Sequence, residues 1–121
     1  MKQKKYDSVQ YVAQELRISL ERTIKETSGG EITITHTYNP KTEESTISYN
    51  LFQLQAELTI QKEEEGFYLT QTNKHKSLEH KTKEKLKLKR SKARRLSKDN
   101  MDKLAKKSLQ SLKDFYRKGS K

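Results

Sequence analysis

The sequence predicts an α+β fold: a small antiparallel sheet of three or four strands, with an N-terminal and a C-terminal helix packed on one of its faces, in the order α-β-β-β-α. Two patterns predict it. Apolar residues recur at spacings of three and four near both ends of the 121-residue chain, and at a spacing of two through its middle. The charge adds a third observation. Lys74–Lys121 carries 19 Lys and Arg against 5 Asp and Glu, a net +14, whereas residues 1–73 carry 8 against 11, a net −3. A mildly acidic body joined to one basic segment suits an anionic partner.

The first helix is expected over 6–28. Tyr6, Val9, Val12, Leu16, Leu20 and Ile24 form one stripe, Asp7 stands where a cap belongs, and Ser28-Gly29-Gly30 ends the run. Tyr11 and Ile18 fall off the stripe and suggest a second contact surface, against the last helix or a second copy of the chain in a homodimer. Residues 31–38 alternate, with Ile32, Ile34, His36 and Tyr38 on one side and Thr33, Thr35 and Thr37 on the other, as in a half-buried strand. Asn39-Pro40-Lys41 is a turn.

Residues 45–61 read as the longest strand. Ile47, Tyr49 and Leu51 alternate in one phase, and Phe52, Leu54, Ala56, Leu58 and Ile60 in the other. A bulge near Asn50–Phe52 would reconcile the two phases. Lys62-Glu63-Glu64-Glu65-Gly66 is a hairpin loop, and the strand 66–72 returns with Phe67 and Leu69 inward. Residues 74–97 fit a helix, an edge strand or a disordered segment: Leu86 and Leu88 between lysines resemble a guarded edge, while Lys83, Lys87, Arg90 and Arg94 would share a face if helical. Residues 98–118 give an amphipathic helix with Met101, Leu104, Leu109, Leu112 and Phe115 in its stripe and Ser97 or Asp99 as cap.

The element order is similar to that of double-stranded-RNA-binding domains, with Ser8–Leu16, the strands and Met101–Leu112 carrying the likeness. Asn39-Pro40-Lys41-Thr42 stands in place of that family's Gly-Pro-x-His loop, and Lys103, Lys106 and Lys107 match its basic triplet poorly. The resemblance is one of order and implies nothing further about function.

Composition bounds the rest. With 30% hydrophobic and 36% charged residues, the core must be small. There is no cysteine, so disulfides, thiolate catalysis and cysteine-bound zinc are excluded. No apolar run reaches the roughly 18 residues of a membrane span, and Met1-Lys2-Gln3-Lys4-Lys5 leads into no apolar stretch, so a cytoplasmic protein is expected. No cofactor is expected. His75, Glu79 and His80 are spaced poorly for a metal, and Glu43-Glu44 and Glu63-Glu64-Glu65 fall in loops, where solvation explains them better than catalysis. No phosphate-cradling glycine loop or nucleophile motif is present, so the chain reads as a non-enzyme.

The candidate site is therefore the basic segment: Lys81, Lys83, Lys85, Lys87, Lys89, Arg90, Lys92, Arg94 and Arg95. Such a run attracts phosphates through charge and counterion release, and its lysine dominance favours contact without sequence reading. The expected function is that of a small nucleic-acid-binding or accessory protein with DNA or RNA as partner. The alternative is an interaction module, such as an inhibitor, adaptor or chaperone-like factor, possible in phages and mobile elements, that docks on an acidic protein surface. Tyr68 is the aromatic most open to stacking, since it should face away from Phe67.

Overall fold

In a computed structural model, residues 8–28, 32–51, 53–90 and 95–119 are described. Helix α1 (Val9–Ser28) is followed by five strands, β1 (Ile34–Asn39), β2 (Glu44–Leu51), β3 (Leu54–Glu63), β4 (Gly66–His75) and β5 (Leu78–Lys85), and by helix α2 (Lys98–Gly119). The strands form one antiparallel meander in the order β1-β2-β3-β4-β5. The α+β class and the terminal helices agree with the sequence; the sheet has five strands rather than three or four. Five consecutive strands also part the chain from the element order on which the likeness to double-stranded-RNA-binding domains rested.

The helices start on serines. Tyr11 N–H donates to Ser8 Oγ at 3.1 Å and Val12 N–H to the Ser8 carbonyl at 3.2 Å, so Ser8 supplies the cap; Asp7, the expected one, lies outside the described residues. At α2, Asn100 N–H donates to Ser97 Oγ. Val12, Ala13, Leu16, Leu20 and Ile24 of α1 and Met101, Ala105, Leu109 and Leu112 of α2 share one core with Ile47, Tyr49, Leu54, Ala56, Leu58, Ile60, Phe67 and Leu69 of the sheet. Both helices therefore cover the same sheet face. Asp102 ties them together, accepting from Ser19 Oγ and pairing with Arg22.

The expected long strand 45–61 is two strands. Leu51 pairs with Leu54 across a two-residue turn, and Gln53 takes a φ of 64°. A chain that reverses over two residues returns with its paired residues on the same face, so the change of phase marks a hairpin and not a bulge. Leu51 is half-buried; Phe52, the other half of the expected bulge, lies outside the described residues.

The basic segment enters the sheet. β4 runs on to His75, Lys76-Ser77 turns the chain, and β5 pairs along β4 as the edge strand; of the three conformations open to residues 74–97, 78–85 adopt the edge strand. The helical alignment of Lys83, Lys87, Arg90 and Arg94 is thereby excluded: Lys83 is in β5, Lys87 and Arg90 follow it outside any helix, and Arg94 is not among the described residues. After β5 the described residues 86–90 and 95–97 are pinned to the fold. Leu86 N–H donates to the Phe67 carbonyl, Leu86 and Leu96 are buried, and the Asn100 side chain both accepts from Lys89 N–H and donates to the Lys87 carbonyl.

Candidate nucleic-acid interface

Side-chain alternation divides the sheet into a helix-covered face and an open one. Reading the register across the strands, Thr37, Thr46, Thr59, Thr70 and Lys83 form one row of the open face. Thr35, Ser48, Glu57, Thr72 and Lys81 form the next. On the other side, Gln61, Tyr68 and Lys85 stand in line. Nearly all of these side chains are exposed or half-exposed, Thr72 being the buried exception. The open face is thus neutral or acidic over β1–β3, through Glu44, Glu57 and Glu63, and basic along β5.

The lysines expected to bind sit on that edge. Lys81, Lys83, Lys85, Lys87 and Lys89 are all exposed and occupy every second position, while Leu86 and Leu88 between them turn inward. Alternate residues of a strand are about 6.6–6.8 Å apart, comparable to the separation of successive phosphates along a nucleic-acid chain. Among the described residues, Lys81, Lys85, Lys87 and Lys89 form no ion pair, whereas Lys83 Nζ lies 3.0 Å from Glu63 Oε2. Arg90 is half-buried and bridges to Leu96, and Arg95 is exposed beside it. Lys92 and Arg94 lie outside the described residues. The structure therefore gathers Lys81, Lys83 and Lys85 on one strand and continues their line through Lys87 and Lys89 to Arg90 and Arg95.

Lys74 of β4 also stands on the open face, opposite Glu79, and further lysines lie on the other side. Lys103, Lys106 and Lys113 form an outward stripe of α2, on the covered side of the sheet, and Lys107 pairs with Glu84 of β5. A groove between β5 and α2, lined by Leu78, His80, Lys107, Ser111 and Phe115, opens on that side too.

Tyr68 faces away from the buried Phe67, as the alternation requires, and Lys83 Nζ stands 5.1 Å from its ring centroid. Tyr49, by contrast, is 1% exposed. Tyr38, expected inward, is 37% exposed at the end of the edge strand β1. Tyr11, expected on a second surface, accepts Leu96 N–H at 3.1 Å and serves the chain's own fold; Ile18 remains exposed.

The histidines do not converge. His75 and His80 are on the covered face and Glu79 on the open one, and among the described residues no His, Asp and Glu cluster suits a metal ion. His36 is half-buried; burial and the nearby Arg17 hold its pKa below 6.5. Among the described residues no helix is long and apolar enough to cross a membrane. Comparison with family models, with curated proteins and with solved structures finds no match.

Proposed function

We propose that this chain is a small, non-enzymatic nucleic-acid-binding or accessory protein of the cytoplasm, with the β5 edge as its binding surface. The observation that carries this reading is the run of five exposed lysines at alternate positions, Lys81, Lys83 and Lys85 on the edge strand β5 and Lys87 and Lys89 directly after it, beside a sheet face that is neutral or acidic over β1–β3. Phosphates are favoured there by Coulomb attraction and counterion release. Lysine, a point charge, demands no base-specific geometry, so the contact is with the backbone of DNA or RNA. Arg90 and Arg95 extend the same charge; Lys92 and Arg94, expected to join them, lie outside the described residues.

The test is binding of labelled DNA and RNA oligonucleotides at low salt by the parent and by a variant with Lys81, Lys83, Lys85, Lys87 and Lys89 all changed to Gln. The variant should keep its melting temperature within a few degrees, because these side chains are exposed, and should lose most of its affinity. Absence of binding by the parent, or equal binding by the variant, overturns the reading.

A second reading is favoured by the same edge. Among the described residues no strand pairs with the outer edge of β5, and an acidic segment of another protein could add to it as a sixth strand opposite the lysines. Retention of a partner from nuclease-treated lysate by the parent alone, without oligonucleotide binding, would support it.

A further inference from the structure

The lysines and Tyr68 lie on the same open face, one strand apart. Tyr68 of β4 is directly opposite Lys85 of β5, and Lys83, diagonal to it, holds its amine 5.1 Å from the ring centroid. Among the described residues Tyr68 is the sole aromatic on that face, since Tyr38 and Tyr49 follow the other alternation and Phe67 is buried. We infer that β4 and β5 bind a single-stranded nucleic acid, its phosphates along Lys81, Lys83 and Lys85 and one base stacked on Tyr68. This rests on the nucleic-acid reading above and narrows its ligand.

Three features favour a single strand over a duplex. First, the strip is narrow. Glu57 and Glu63 of β3 bound it on one side and β5, the last strand among the described residues, on the other, leaving two strands' width, about 10 Å. That accommodates one sugar-phosphate chain with its bases turned inward and is narrower than a double helix. Second, the face is a sheet surface. It offers no protruding helix or ribbon to enter a groove, whereas a tyrosine ring beside cations offers a stacking surface that any unpaired base can use. In a duplex the base faces are already stacked on one another.

Third, the ring and its lysine are engaged in contacts that one nucleotide can replace together. Lys83 is shared between the Tyr68 ring and the exposed Glu63 carboxylate. A nucleotide brings a phosphate for the ammonium and a base for the ring, so a single ligand satisfies both groups. Thr70, opposite Lys83 and next to Tyr68 on the open face, adds a hydroxyl that can donate or accept at a base edge without selecting one base.

The chain contains no tryptophan, so Tyr68→Trp installs a single fluorescent reporter at the site. Its emission should be quenched by oligo(dT) and oligo(U) and left nearly unchanged by a blunt duplex of equal charge. Tyr68→Ala should bind the single strands about 5- to 150-fold more weakly and the duplex as the parent does, while Tyr68→Phe should bind as the parent. The comparison of DNA and RNA strands distinguishes the two sources of the same chemistry. If Tyr68→Ala keeps full single-strand affinity while the five-lysine variant loses it, phosphate binding stands and the stacking inference falls. Equal losses on duplex and single strand would also overturn it. No binding of any nucleic acid by the parent removes both readings.

Discussion

Tyr49 links the sheet to the last helix. Its ring is 1% exposed in the middle of β2, and its hydroxyl lies 2.9 Å from Ser108 Oγ on α2. Around it, Gln71 Nε2 donates to Asn73 Oδ1 and to the Ser108 carbonyl, and Asn73 Nδ2 donates to Ser111 Oγ. The sheet thus meets α2 through a buried polar layer, in which each donor finds a partner. Burial pushes the Tyr49 phenol up to about 12, against the lesser opposing effect of the Ser108 hydrogen bond. Below pH 10 the phenol is neutral in both folded and unfolded chains and has no effect on stability through ionisation. Between pH 10 and about 12 only the unfolded chain ionises, so stability falls as pH rises, by up to about 1.4 kcal/mol per pH unit. Tyr49→Phe should cost about 1 kcal/mol at pH 8 by stranding the Ser108 hydroxyl. It should also lack this alkaline loss, so that denaturation curves of parent and variant converge near pH 11. Parallel curves from pH 8 to 11.5 would mean that the phenol ionises freely in the folded protein.

The elements show what the sequence could and could not reveal. Both helices were legible, because Val12, Leu16, Leu20 and Ile24, and Met101, Leu109 and Leu112, repeat at helical spacing and are all buried. The β2–β3 hairpin was not, because its turn lacks glycine or asparagine, the residues that ordinarily signal a positive φ. β5 was harder still. Seven of its eight residues are exposed, so no apolar alternation announced it, and the lysines that hid the strand also guard its edge. The candidate lysines were legible as a run, but their alignment with Tyr68 depends on the β4–β5 register, which polar strands specify weakly. That register hangs on the turn at Lys76-Ser77, where Lys76 takes a φ of 57° and Ser77 does not share it. A positive φ at the first central residue of a two-residue hairpin is the conformation for which glycine is favoured there. Lys76→Gly should remove the left-handed penalty of about 1–2 kcal/mol while adding about 0.5–1 kcal/mol of chain entropy cost. A net gain of several tenths to about 1 kcal/mol is expected in urea titrations. A loss of stability would show that the lysine side chain supports the hairpin in some other way.

Across the whole molecule, the described lysines of the +14 segment lie mainly on two surfaces, on opposite sides of the sheet. The β5 line faces with the open sheet, and the stripe of Lys103, Lys106 and Lys113 rides on α2 above the covered face. A ligand seated on the open face cannot neutralise both. This makes the salt dependence of binding a measure of which surface is used. If the five lysines from Lys81 to Lys89 each meet one phosphate of a single strand, the log–log slope should be near −3.5, at about −0.7 per phosphate. Changing Lys103, Lys106 and Lys113 to Gln should leave that slope unchanged, since long-range attraction by α2 fades beyond the roughly 10 Å Debye length at 0.1 M salt. Its effect should be confined to slower association at low ionic strength. Glu63→Gln should act in the opposite direction: with its carboxylate gone, Lys83 has no ion pair to give up, and affinity should rise at every salt concentration. A slope that becomes shallower by about 2 when the α2 stripe is neutralised would place three phosphates on the helix. The nucleic acid would then lie on the covered side of the molecule, and the β5 edge would lose its claim as the binding surface.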